Sequence, residues 1–210
     1  MSTKGSKIGW IGAGRMGFEM ARRLAKGGCD LAVWNRTRAK AEPLAKDGAK
    51  IVDNLKDLAG CDIVFCMVST YDDVKEVIAG PKGLLSGSAK PRMVVECSSI
   101  SLEGSADLRE ILSAKGVELL SAPVSGNAKV IKAGKLTFVV SGPKAAYDDP
   151  VWHSRGVEPT KRYLEAGRLV VDAWLMTNEW PLGRDCYEFR AQAGSVTARK
   201  LASGTCLTPH

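Results

Sequence analysis

The chain has 210 residues, 45% of them apolar and 25% charged, with a formal net charge of +7. Such proportions are ordinary for a soluble globular protein, and the length suits one good-sized domain or one domain and part of a second. Lys and Arg are scattered, no stretch approaches the roughly 20 apolar residues of a membrane span, and Met1 to Lys7 is polar, so neither nucleic acid, membrane nor secretion is expected.

From the N-terminus, Lys7 to Ile11 predicts a short strand running into the turn Gly12-Ala13-Gly14. A helical pattern follows, with Met16, Met20, Ala21 and Leu24 on one face and Arg22, Arg23 and Lys26 outward. Gly27-Gly28 is placed to stop it. Cys29 to Trp34 predicts a second strand, Arg38 to Asp47 a polar helix, and Ala49 to Val52 a third strand. Asp62 to Val68 is the continuous apolar run of a strand buried on both faces. Asp72 to Ala79 predicts a helix, Met93 to Cys97 a strand and Ser105 to Lys115 a helix, with further strands at Glu118 to Leu120 and Leu136 to Ser141. Alternating helices and apolar strands predict an α/β fold over residues 1–150, a doubly wound parallel sheet of Rossmann type. Six cysteines, Cys29, Cys61, Cys66, Cys97, Cys186 and Cys206, form no C-x-x-C pair and no zinc-like spacing. Reduced thiols in a cytoplasmic protein, and no metal, are expected.

Gly12-Ala13-Gly14-Arg15-Met16-Gly17 completes a G-x-G-x-x-G pattern between a strand and a helix, the context in which it signals dinucleotide binding. Gly12 permits the turn, Gly14 lets a diphosphate approach the backbone, and Gly17 lets helix and strand pack closely. The N–H groups and positive end of the helix then receive the phosphates. The second strand ends in Asn35-Arg36-Thr37, without the carboxylate that binds ribose hydroxyls in NAD-selective domains. Arg36 can take a 2′-phosphate through a bidentate, charge-assisted contact and can stack on adenine. NADP(H), favouring NADPH, is the expected cofactor; a merely solubilising Arg36 is the plainer alternative.

The opening Ile8 to Gly17, with Met20-Ala21 and Leu24, resembles the β-hydroxyacid dehydrogenases. These include 3-hydroxyisobutyrate dehydrogenase, tartronate semialdehyde reductase, the glyoxylate/succinic semialdehyde reductases and, more distantly, 6-phosphogluconate dehydrogenase. Cys66-Met67-Val68-Ser69 is similar to the family loop near the adenosine side of the cofactor, which implies roles for Met67, Val68 and Ser69. Glu96-Cys97-Ser98-Ser99-Ile100 resembles the family's D-x-S-T-I element and implies that Ser99 lies near the nicotinamide ribose. Ala122-Pro123-Val124-Ser125-Gly126-Asn127 resembles its A-P-V-S-G-G substrate motif. The resemblance assigns Ser125 and Gly126 to the substrate's carboxylate and hydroxyl, and Asn127, in place of glycine, keeps its backbone N–H and adds an amide. Taken alone, that segment reads as a turn.

After Pro150 the clean alternation stops, and Trp152, Trp174 and Trp180 follow. Ala166 to Val171 could be one more strand, while Asp172 to Gln192 shows no convincing period. Residues 151–210 are expected to be an irregular, truncated or divergent remnant of the linker to the family's helical domain. Ala193 to Ala202 partly resembles the lysine-bearing linker motif, which makes Lys200 the candidate acid/base, although Gly204 stands where the motif has Asn. The reaction implied is NADPH-dependent hydride transfer to or from a small 3-hydroxy acid or semialdehyde, with Ser125 and Lys200 catalytic. A catalytically weak NADPH-binding module and an unrelated Rossmann protein are the alternatives. A small-molecule substrate is the expected partner, and a homo-oligomer is left open.

Overall fold

The computed structural model describes residues 6–143 apart from Lys135, and the backbone of segments 164–165, 168–176, 186–192 and 195–200. Its first sheet has six parallel strands: β1 (Lys7–Ile11), β2 (Asp30–Trp34), β3 (Lys50–Ile51), β4 (Ile63–Cys66), β5 (Met93–Glu96) and β6 (Glu118–Ser121). Helices α1 (Gly17–Lys26), α2 (Tyr71–Ala79) and α3 (Leu102–Ser113) provide crossovers. The spatial order is β3-β2-β1-β4-β5-β6. Ile8 of β1 pairs with Leu31 on one side and Ile63 on the other, so the strand order reverses at β1. A crevice therefore opens beyond the carboxyl ends of β1 and β4.

Every residue of β4 and β5 is buried, as strands covered on both faces require. On one face Ile8, Trp10, Leu31, Val33 and Phe65 pack with Met20, Ala21 and Leu24 of α1. On the other, Ile11, Val64, Cys66 and Val94 pack with Val74, Val77 and Ile78 of α2 and Leu108 and Leu112 of α3. Trp10 stacks on Phe65 with ring centroids 5.4 Å apart, and its indole N–H donates to the Gly12 carbonyl at 2.8 Å. This largest buried side chain thus meets its polar demand where β1 ends. Thr70 and Ser101 cap α2 and α3 by accepting from the backbone N–H groups of Asp73 and Gly104.

The structure departs from the predicted elements in three places. Arg38 to Asp47 is not one helix but two 3₁₀ turns, Arg38–Lys40 and Glu42–Asp47. Pro43 stands at the start of the second, where it has no N–H to give and restricts the residue before it. Leu136 to Ser141 is not part of the parallel sheet. Leu136–Val139 (β8) instead runs antiparallel to Val124–Ser125 (β7), with the short helix α4 (Ala128–Lys132) between them.

A bridge between Ser121 and Ser141 connects this unit to β6. Within the segment expected to be irregular, the backbone forms β9 (Leu164–Glu165), β10 (Arg168–Met176), β11 (Cys186–Gln192) and β12 (Ser195–Lys200). The second sheet runs β12-β11-β10-β8-β7, with β9 on β10, all antiparallel. Cys186–Gln192 alternates apolar Tyr187, Phe189 and Ala191 with polar Glu188, Arg190 and Gln192, the period of a strand. Among the described residues no helix is long and apolar enough to cross a membrane.

Candidate cofactor-binding site

The site grows from the turn between β1 and α1. Gly12 has φ +98°, and its N–H donates to the Trp34 carbonyl at 3.0 Å. A Cβ there would strike the Met67 carbonyl oxygen, and a Cβ on Gly17 would strike the Gly12 carbonyl oxygen. These two glycines let strand, loop and helix meet at backbone distance. Around Gly14 a Cβ would meet nothing within 4 Å, so the middle glycine faces open space. Met16, at the N-cap of α1, provides no side-chain acceptor, and in the first turn the Phe18 N–H donates to the Gly14 carbonyl at 2.9 Å. That combination suits a diphosphate.

Asn35 fixes the turn from below. Its Oδ1 accepts from the Ala13 N–H at 2.7 Å, and its Nδ2 donates to the Thr37 carbonyl at 2.8 Å. The side chain is committed to shaping the turn, so its role is positioning.

A cleft of about 590 Å³ lies here, and Gly12, Gly14, Asn35, Arg36, Thr37, Met67, Val68 and Ser69 all line it. Ala13, Arg15, Met16 and Gly17 complete the glycine turn and the start of α1. Arg36 is 78% exposed at the cleft, its guanidinium 3.3 Å from an Asp73 carboxylate oxygen. Arg38 is held elsewhere, by Asp53 at 2.6 Å and Glu42 at 3.5 Å. Arg36 is the arginine that lines the cleft among the described residues. Lys40 and Lys82 also line the cleft.

Other expected residues lie apart. Ser99 is exposed and does not line the cleft, whereas Ser98 is buried and its Oγ accepts from the Val68 N–H at 3.0 Å. Ser125, Gly126 and Asn127 are exposed at the end of β7, outside the cleft. Asn127 Oδ1 caps α4 by accepting from the Lys129 and Val130 N–H groups at 2.9 and 3.2 Å. Lys200 belongs to β12, where its backbone pairs with Tyr187, and its side chain is outside the described residues.

Sequence reasoning missed Glu96. It ends β5 at 1% exposure, Oε1 accepts from the Ser98 N–H at 2.6 Å, and Oε2 has no protein partner. Burial pushes its carboxyl up to about 7, against the opposing pull of hydrogen bonds from Ser98. The available signal was a carboxylate inside an otherwise apolar strand. Burial also pushes the Cys66 and Cys97 thiols well above their ordinary value, with the Glu96 charge adding to it. Burial, then Asp30 and Asp62, raises Cys61 to about 11. Those thiols remain protonated hydrophobes.

Residues 7–151 match the family model described as the NAD binding domain of 6-phosphogluconate dehydrogenase. The chain belongs to the β-hydroxyacid dehydrogenase family. The cleft is that of a nicotinamide-dinucleotide-binding domain. The chain is 35% identical over 142 residues to glyoxylate/succinic semialdehyde reductase 2, chloroplastic, of Arabidopsis thaliana, covering 67% of this chain and 40% of that one. It is 32% identical over 144 residues to the cytokine-like nuclear factor N-PAC of Homo sapiens, covering 68% of this chain and 26% of that protein. The solved structure described as Psf3 in complex with NADP+ and 2-OPP superposes with a TM-score of 0.62 at 31% identity, over 67% of this chain and 50% of that one. The chain therefore spans half or less of the length of these relatives.

Two predictions follow from the backbone and from Glu96. Gly17→Ala should lower stability by about 1–3 kcal/mol, because the added methyl overpacks a backbone contact. Gly14→Ala should unfold near the wild-type denaturant midpoint while losing dinucleotide affinity. Equal stabilities for both variants would refute this division of labour. For Glu96, the native state keeps a proton that the unfolded chain releases near 4.5 and the folded chain near 7. Wild-type stability should accordingly fall as pH rises through that window, since there the unfolded state binds fewer protons. Glu96→Gln should gain roughly 2–3 kcal/mol relative to wild type between about pH 5 and about pH 8 in urea titrations. A difference independent of pH would contradict the assignment.

Proposed function

We propose that the chain carries the cofactor-binding part of an NADPH-dependent oxidoreductase acting on a small 3-hydroxy acid or semialdehyde. The observation that carries this reading is the joint presence of an open, uncapped glycine turn and a cationic Arg36 on one cleft. Support for a reductase comes from the Arabidopsis relative, named for glyoxylate and succinic semialdehyde. Support for NADP(H) comes from the NADP+ complex that superposes on this domain.

The turn N–H groups hold the diphosphate, and Arg36 holds the 2′-phosphate, with Lys40 adding positive charge. A nicotinamide held there would supply or accept the hydride. Ser125 and the Gly126 N–H orient the substrate's carboxylate and hydroxyl. Lys200 is the proposed proton donor to the substrate oxygen during reduction.

A second reading, a dinucleotide-binding module of little or no turnover, is favoured by one observation. Ser125, Gly126 and Asn127 are exposed and outside the cleft, so the described residues build a cofactor site without enclosing a substrate.

NADPH oxidation by the purified chain with glyoxylate, succinic semialdehyde, tartronate semialdehyde or methylmalonate semialdehyde decides between them. Turnover that Lys200→Ala abolishes, with NADPH binding retained, is the expected result. NADPH binding without turnover in the same sample selects the second reading. For cofactor choice, Arg36→Ala should weaken NADPH by about 1–3 kcal/mol more than NADH, the range of a charge-assisted hydrogen bond. Equal losses in titrations of the two nucleotides would end the specificity argument.

A further inference from the structure

The Arg36 guanidinium spans to Asp73, and both residues line the same cleft, one following β2 and the other in the first turn of α2. We propose that Asp73 is a specificity-determining residue: its carboxylate competes with a 2′-phosphate for Arg36 and so holds down the preference for NADPH over NADH. This rests on the reading of Arg36 as the phosphate ligand.

The two partners are unequally held. Thr70 Oγ1 accepts from the Asp73 backbone N–H at 3.1 Å and donates to Asp73 Oδ2 at 2.9 Å, so the helix cap fixes that carboxylate. Its other oxygen, Oδ1, faces Arg36 at 3.3 Å. Asp73 is 25% exposed, whereas Arg36 is 78% exposed on a long, rotatable stem. A dianionic phosphate that takes Arg36 must draw it from a carboxylate that stays in place, and must then sit beside that carboxylate. NADH has no such group, so it leaves the pair intact. The arrangement therefore penalises NADPH and leaves NADH untouched.

No other arginine among the described residues lines the cleft, and Arg38 pairs with Asp53 and Glu42. Lys40 and Lys82 line the cleft and have no ion pair among the described residues. They serve an anionic nucleotide whether or not Arg36 is released, which sets the preference remaining without Arg36. Asp73 acts on the share that Arg36 contributes.

The test measures dissociation constants for NADPH and NADH by nucleotide fluorescence on the full chain. It uses wild type, Asp73→Asn, Arg36→Ala and the double variant. Asp73→Asn retains an oxygen to accept from the Thr70 hydroxyl, and urea unfolding checks that it folds. The NADPH-over-NADH affinity ratio should rise about two- to fivefold in Asp73→Asn, the range of an exposed ion pair. That rise should shrink by at least half in the Arg36→Ala background, as coupling through Arg36 requires. An unchanged or lower ratio in Asp73→Asn overturns the proposal. So does an undiminished rise without Arg36, which would mean that the carboxylate acts directly on the phosphate. Failure of folded wild type to bind either nucleotide would instead overturn the cofactor reading on which the proposal rests.

Discussion

The head of the parallel sheet is organised around the backbone of Gly12. Its N–H is spent on the Trp34 carbonyl at the end of β2, and its carbonyl accepts the Trp10 indole N–H. Gly17 brings α1 against that same carbonyl, while the carbonyl of Met67, after β4, presses on the Gly12 Cα. Three strands and one helix thus converge on one residue that must have no side chain and a left-handed φ. Each close approach requires glycine at one end, Gly12 against the Met67 carbonyl and Gly17 against the Gly12 carbonyl. The cleft follows from this geometry. Since the turn is pinned on its inner side, Gly12 and Gly14 are left to line the cleft.

The polar groups below and beside the turn fall into two kinds. Asn35, Ser98 and the Thr70 cap are satisfied within the protein, and they hold backbone that a nucleotide would touch. Arg36 and Glu96 are each under-satisfied, in opposite ways. Arg36 has a charged fork at the surface with one ion pair at 3.3 Å, so a phosphate can displace that partner at about the cost of an exposed ion pair. Glu96 is buried with one oxygen unpartnered, a position that favours the neutral carboxyl and destabilises the fold wherever it ionises. Surface position makes the first group exchangeable. Burial makes the second a fixed structural cost.

Much of this was legible in the sequence because it depends on local rules. The glycine spacing, the apolar runs of β4 and β5 and the Asn35-Arg36-Thr37 ending each declare themselves within a few residues. Four features were illegible for physical reasons. The Arg38 to Asp47 segment carries helical polarity, but Pro43 decides its geometry. The β7–β8 unit is short, and its antiparallel pairing depends on distant register. In the serine pair Ser98-Ser99, sequence cannot tell which hydroxyl turns inward. Ser98 is the one that turns inward, where its Oγ accepts from the Val68 N–H. The ion pair of Arg36 joins residues 37 positions apart, and no local pattern encodes it.

Glu96 also links the two halves of the proposed reaction. Its side chain acts through Ser98 on the Val68 N–H at the cofactor cleft. Its backbone carbonyl accepts from the Ala122 N–H, the first residue of the Ala122 to Asn127 stretch. The Pro123 carbonyl in turn accepts from the Val139 N–H at 2.9 Å, tying that stretch to β8. One residue at the end of β5 is therefore linked to the wall of the cleft on one side and to the root of the Ala122 to Asn127 stretch on the other. Hydride transfer requires cofactor and substrate to be held in fixed register. In this fold the hydrogen-bonded path between the cleft and the Ala122 to Asn127 stretch runs through the end of β5. The buried carboxylate is costly to stability, yet it occupies the position that ties the cleft wall to the Ala122 to Asn127 stretch.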